Sequence, residues 1–243
     1  SGATTNLNKN TNILNIRCVR TKNTDLTEVV PSGLVGHWRL DETSGTTAFD
    51  SSGNNNNGAV SDTTFAASST SGMVGKAFNS LDDNDRITVP DSATLNPNTA
   101  ITVSAWVRSR KESRQRLVMK WGGTDNGYML WIENSSGPRF EINTAAGNRI
   151  AFGGTTIAND DVWHHLVGVY DGSTVSIYLD GVLDGSAGHS GLLVDDDADL
   201  YLSGGSGGTY IGGMDDVRIY NRALTEPEIC LLYTSDAADD ANC

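Results

Sequence analysis

Apolar and polar residues alternate singly through the middle of the chain, the period-two signature of strands with one face buried. Ile101-Thr-Val-Ser-Ala-Trp-Val-Arg108 puts Val103, Ala105 and Val107 on one face. Tyr128-Met-Leu-Trp-Ile-Glu133 puts Tyr128, Leu130 and Ile132 on one face and Met129, Trp131 and Glu133 on the other. Trp163-His-His-Leu-Val-Gly-Val-Tyr170 runs into Asp171-Gly172, and Thr174-Val-Ser-Ile-Tyr-Leu179 runs into Asp180-Gly181. Asp-Gly between alternating runs signals a hairpin, because both turn residues tolerate positive φ. Two in succession predict a three-stranded meander over residues 163–184. One short helix is predicted near the C-terminus, where Thr225 can cap it and Glu228 completes a capping box. The remainder reads as antiparallel β.

Composition agrees. The 243 residues include 27 Gly and 5 Pro with 37% hydrophobic residues, which suits many short strands joined by tight turns. The length fits one large all-β domain with flanking segments. The formal charge of -13 includes a cluster at Asp195, Asp196, Asp197 and Asp199. Such a surface repels phosphate backbones, so nucleic acid is not an expected partner. It could hold hard cations through carboxylate oxygens. No apolar run approaches the roughly 20 residues that span a bilayer, so no membrane insertion is expected. The cysteines are Cys18, Cys230 and Cys243. None lies between 33 and 229, which leaves that region without a disulfide framework or a metal–thiolate spacing.

The flanks read differently. Ile13-Leu-Asn-Ile-Arg-Cys-Val-Arg20 resembles the closing strand of certain bacterial surface domains, which implies that residues 1–20 are the stump of an upstream domain. Residues 21–32 then form a polar linker. At the other end, Cys230-Leu-Leu-Tyr-Thr-Ser-Asp-Ala-Ala-Asp-Asp240 resembles the translation of a transposon-end adapter used in sequencing libraries. On that reading residues 230–243 are a non-native tail on an environmental-DNA fragment, and the domain is 33–229.

Within 33–229 the segments follow a recognisable order. Gly33-Leu-Val-Gly-His-Trp-Arg-Leu-Asp-Glu42 comes first, then Asp50-Ser-Ser-Gly-Asn-Asn-Asn-Asn-Gly58, Gly75-Lys-Ala-Phe78 and Arg86-Ile-Thr-Val-Pro-Asp91. Ile101–Val107, Trp163–Leu166 and Tyr178-Leu-Asp-Gly181 come next, and Tyr210–Leu224 closes the series. This order resembles the laminin-G-like, concanavalin-like jelly rolls of bacterial extracellular proteins. The resemblance implies a two-sheet antiparallel jelly-roll sandwich whose first and last strands are neighbours. It implies binding of glycans or of cell-surface proteins, an extracellular or cell-surface location, and in many members a structural Ca2+.

Calcium takes six to eight oxygen ligands. The Asp50–Gly58 loop concentrates such oxygens, and Asp215 and Asp216 stand before the final apolar run. With the terminal strands adjacent, Asp50, Asn55 and Asp216 are the expected metal ligands. The competing account is that Asp, Asn and Gly here make turns through their own backbone.

Sugar sites pair aromatic rings with polar groups, because sugar C–H faces pack on rings. Trp38, Trp106 and Trp163 match strand positions of the family and are expected in the core. Trp121, before a glycine-bearing loop, and Trp131, beside Glu133 on its strand, are the expected ligand-binding residues. His164 and His165 are adjacent and point to opposite faces.

Catalysis is not expected. Sandwich glucanases carry a Glu-x-Asp-x-x-Glu strand, which is absent, and Glu133 and Glu141 stand alone on their segments. The sequence therefore reads as a non-catalytic carbohydrate- or surface-binding accessory module, monomeric within a larger bacterial chain. A protein–protein adhesion or spacer domain and a divergent glycan-active enzyme are the alternatives.

Overall fold

The computed structural model describes residues 30–122, 127–133, 136–157, 159–194, 197–205 and 210–236. The upstream stump, most of the linker, the center of the Gly122–Gly127 loop, Asp195–Asp196 and the end of the tail lie outside these residues.

Strands dominate the described chain. They are β1 (Leu34–Trp38), β2 (Thr47–Ala48), β3 (Gly58–Ser61), β4 (Ser69–Ser71), β5 (Lys76–Ser80), β6 (Arg86–Val89), β7 (Ile101–Ser109) and β8 (Gln115–Trp121). There follow β9 (Gly127–Glu133), β10 (Gly137–Thr144), β11 (Gly147–Phe152), β12 (Trp163–Tyr170), β13 (Thr174–Leu179), β14 (Val182–Gly188), β15 (Leu200–Leu202) and β16 (Gly212–Tyr220). A single-turn helix α1 (Phe65–Ser68) precedes β4, and α2 (Glu226–Asp236) follows β16.

These form two eight-stranded antiparallel sheets. Sheet A has the order β14-β13-β12-β7-β16-β5-β4, with β1 also paired to β16. Sheet B has the order β11-β10-β9-β8-β15-β6-β3-β2. The first and last strands are neighbours, with His37 opposite Arg218 and Trp38 opposite Val217. The fold is thus the all-β sandwich with a C-terminal helix that the sequence implies.

The alternation read from the sequence holds. Val103, Ala105 and Val107 join Tyr128, Leu130 and Ile132 in one core between the sheets. Gly168 sits where a Cβ would stand 2.2 Å from the Phe140 ring, so its bareness lets that ring cross between the sheets. The meander forms as β12-β13-β14, but its two turns differ. Asp180 and Gly181 both take positive φ, 51° and 79°, as a two-residue primed turn requires. At the first turn only Gly172 does, and the Asp171 carboxylate closes the loop by accepting from the Ser173 and Thr174 amides.

Helix α2 seals the outer face of sheet A. Leu224, Ile229 and Leu232 pack on Val167, Val169 and Tyr220 as a second apolar cluster. The helix does not stop at 229: it continues through 230–236, part of the segment read from sequence as a tail, because Leu232 and Tyr233 have apolar partners on the sheet. Trp106 is buried, yet not between the sheets. It lies on the outer face, stacked on Tyr233 at 5.5 Å between centroids and tilted against His165 at 5.0 Å. Trp163 is half-buried with the Arg108 guanidinium over its ring. Among the expected core tryptophans, only Trp38 is in the inter-sheet cluster.

Candidate functional site

The expected metal residues lie around β1 and the β16 bulge. On one flank β16 pairs with β5 through Gly212–Met214 and with β1 through Val217–Tyr220. A bulge between Asp215 and Arg218 marks the exchange, and Asp216 there has φ +48°. Asp and Asn tolerate this left-handed region better than other non-glycine residues. The bulge sends the two carboxylates to separate places. Asp215, fully buried, accepts from the Met73 and Val74 amides of the β4–β5 turn. Burial pushes its carboxyl up to about 8, against those two amides and with the help of negative Asp216 and Asp41. Asp216 turns to His37 Nε2 at 2.5 Å and to the Arg218 guanidinium at 2.6 Å.

Asp50 serves as the hub of its own loop. Its Oδ1 accepts from the His37 and Ser52 amides, and its Oδ2 from the Ser52 hydroxyl and the Asn56 amide. Asn56 then donates to the Val35 carbonyl and accepts the Trp38 indole N–H on its own carbonyl. Asn55 is exposed in a left-handed turn with φ +59°. This set does not fit calcium: four donors already point at the Asp50 oxygens, and a guanidinium occupies the Asp216 side. The Asp50–Gly58 motif instead ties a loop to β1, in line with the turn-forming account.

Sheet A also buries a polar network beneath α2. His165, fully buried, bonds Ser104 Oγ through Nε2 at 2.8 Å, and its Nδ1 has no hydrogen-bond partner among the described residues. Burial, with the Arg218 cation nearby, holds its imidazole down at about 3. His164 points the other way, between Asp160 and Asp180, and these partners hold its pKa above the usual value.

The expected sugar-binding tryptophans come together elsewhere, on the outer face of sheet B. Trp121 and Trp131 line one groove of about 310 Å³, with Met119 and Met129 between them and Arg114, Arg116 and Glu141 around them. That volume lies at the lower end of the range for small-ligand sites. A bulge builds the face. β8 shifts register between Arg116 and Val118, and both Leu117 and Val118 turn into the core. The extra residue brings Arg116 out beside Met119 and Trp121, where strict alternation would bury it.

Two cross-strand rows then form. Tyr201, Met119, Met129, Glu141 and Ile150 align across β15, β8, β9, β10 and β11. Arg116, Trp131, Arg139 and Phe152 align beside them. The guanidiniums of Arg114 and Arg139 lie 4.7 and 5.4 Å from the Trp131 ring centroid, so Trp131 is only 5% exposed. Arg139 also lies 4.4 Å from the Phe152 centroid, and Arg86 lies over Tyr201. Arg114 is paired with Glu133 at 2.8 Å. Burial and the neighbouring Arg114 cation lower the Arg116 pKa, with Glu141 opposing them. Trp131 thus carries arginines rather than offering a bare ring, whereas Trp121 is half-buried and Phe152 is 58% exposed. The sequence reading did not name the arginines or Phe152.

Comparisons with known proteins match this architecture. The family model described as the concanavalin A-like lectin/glucanases superfamily matches residues 81–230. No curated protein matches the chain by sequence. Among solved structures, the binding domain of Paraclostridial Mosquitocidal Protein 1 is similar with a TM-score of 0.67 at 18% identity, over 84% of this chain and 52% of that one. Domain 4 of AbnA, a GH43 extracellular arabinanase from Geobacillus stearothermophilus in complex with arabinotriose, has a TM-score of 0.65 at 21% identity. That match covers 82% of this chain and 98% of that one. The botulinum neurotoxin serotype D ligand binding domain in complex with N-acetylneuraminic acid has a TM-score of 0.61 at 13% identity, over 81% and 52%. The chain spans about half the length of the toxin domains. At these identities the likeness is one of fold.

Proposed function

The chain belongs to the concanavalin A-like lectin/glucanases superfamily, and on that premise we propose that it is a non-catalytic carbohydrate-binding accessory module of a larger extracellular bacterial protein. Its ligand lies in the groove on the outer face of sheet B. The observation that carries this reading is the meeting of Trp121 and Trp131 in one groove with arginine and glutamate side chains around it. A partly exposed indole such as that of Trp121 can pack on a sugar ring while charged groups bind its hydroxyls. Among the solved relatives, an arabinanase accessory domain in complex with arabinotriose and a toxin domain in complex with N-acetylneuraminic acid support a binding role. A single module of this kind binds weakly, and joining it to a neighbour raises its effective concentration.

A glycan array with the native chain and Trp121→Ala tests the reading. Reproducible binding to a glycan, lost in the variant while its melting temperature is kept, is expected. Silence across the array, or product release from a polysaccharide panel, overturns it.

A further inference from the structure

The groove holds cations where the chain as a whole holds anions. Its formal charge is -13, yet Arg114 and Arg116 line the groove with the single carboxylate of Glu141, and Arg139 stands at its edge, in one cross-strand row with Arg116 and Trp131. Glu133 is engaged with Arg114. Arg139 is different. Its contacts are with the Trp131 and Phe152 rings, and its buried Nε–H has no acceptor among the described residues. The Trp131 indole N–H, in a side chain 5% exposed, has none either. Arg139 is thus a cation held by aromatic rings, with no carboxylate partner among the described residues.

We propose that the groove takes a carboxylate-bearing oligosaccharide, with the acid group received by Arg139 beside Arg116 and the adjoining sugar against Trp121. This deepens the glycan-binding reading and rests on it. A planar guanidinium matches a carboxylate through two parallel N–H···O bonds, and an aromatic ring under it holds the fork in place. Phe152 and Trp131 supply such rings for Arg139. Glu141, in the same groove, accepts from sugar hydroxyls and repels chains with several charges per sugar. That separates an acidic sugar with one carboxylate per ring from a densely sulfated one.

The test is titration calorimetry of the native chain with trigalacturonate, maltotriose and a heparin-type trisaccharide, at about 50 and about 500 mM salt. Tightest binding to trigalacturonate, weakened at high salt, is expected. Arg139→Gln should weaken it about tenfold or more, as loss of a charge-assisted hydrogen bond does, and Arg139→Lys should restore only part of it. If Arg139→Gln melts below the assay temperature, Arg139→Lys alone carries the comparison. Equal affinity for maltotriose overturns the acidic-sugar assignment and leaves the glycan-binding reading standing. Tighter binding of the sulfated sugar overturns the carboxylate assignment. Binding of none of the three, with an array that is also silent, overturns both; an array that binds only other neutral glycans overturns the acidic-sugar assignment alone.

Discussion

His37 and Asp216, 179 residues apart in sequence, meet across the β1–β16 pair with Nε2 and Oδ1 2.5 Å apart and both side chains 4% exposed. Arg218 approaches the other Asp216 oxygen at 2.6 Å, and its own side chain is also 4% exposed. The Asp216 carboxylate therefore neutralises a guanidinium buried between sheet A and α2. Removing one partner of a buried pair leaves an uncompensated charge, which costs about 3–5 kcal/mol. Asp216→Asn keeps the size and the tolerance for φ +48° while removing the charge. Urea unfolding should show a loss of that order with an unchanged slope; a loss under about 1 kcal/mol would mean that Arg218 is neutralised from elsewhere.

The saturation of Asp50 leads to a second expectation. A ligand that binds only the folded state raises its melting temperature. With four donors on Asp50 and a guanidinium on Asp216, millimolar calcium and chelator should give the same melting temperature. A rise with calcium, lost on chelation, would show a cation site built from other oxygens.

Asp215 makes stability fall with rising pH. Burial pushes its carboxyl up to about 8 in the fold, from an ordinary value of 3.8. Between those values the folded state holds the proton and the unfolded chain has released it. The folded state binds more protons there, so stability declines from about pH 4 to about pH 8. Asp215→Asn still offers an oxygen to the Met73 and Val74 amides but cannot ionise. Thermal melts across that range should show a flatter decline for the variant than for the native chain. Parallel curves would show that Asp215 is ionised throughout.

Glu228 acts in the opposite sense. The Arg222 guanidinium at 2.6 Å, and then the Thr225 amide, hold its carboxyl down at about 2, below its ordinary value of 4.5. Its contribution is complete above about pH 4.5 and is lost as the pH falls toward 2. Glu228→Gln should cost about 1 kcal/mol at pH 7, the usual worth of a helix cap. The gap between variant and native chain should close on acidification, as read by denaturant unfolding at pH 7 and pH 3.

How much of this was legible in the sequence depended on distance along the chain. Strand faces repeat every two residues, so Val103, Ala105 and Val107, and Tyr128, Leu130 and Ile132, could be assigned to the core locally. The Thr225–Glu228 cap is also a local pattern. Trp121 and Trp131 could be named as candidates because each stands on its own segment, but their shared groove required the β8–β9 register. Arg116 was hidden by the bulge, since two-residue alternation from Met119 puts it inside. Arg139 and Phe152 reach the face only through the pairing of β9, β10 and β11. By strand alternation an adjacent pair such as Asp215-Asp216 gives one outward and one inward carboxylate. The left-handed bulge buries both, and nothing in a run of two aspartates marks it.

The helix over sheet A has a directional consequence. Strand β1 pairs within sheet A and helix α2 packs on that sheet's outer face, so both elements sit on the opposite side of the sandwich from the arginine-lined groove. A sugar chain laid across the outer face of sheet B meets neither of them.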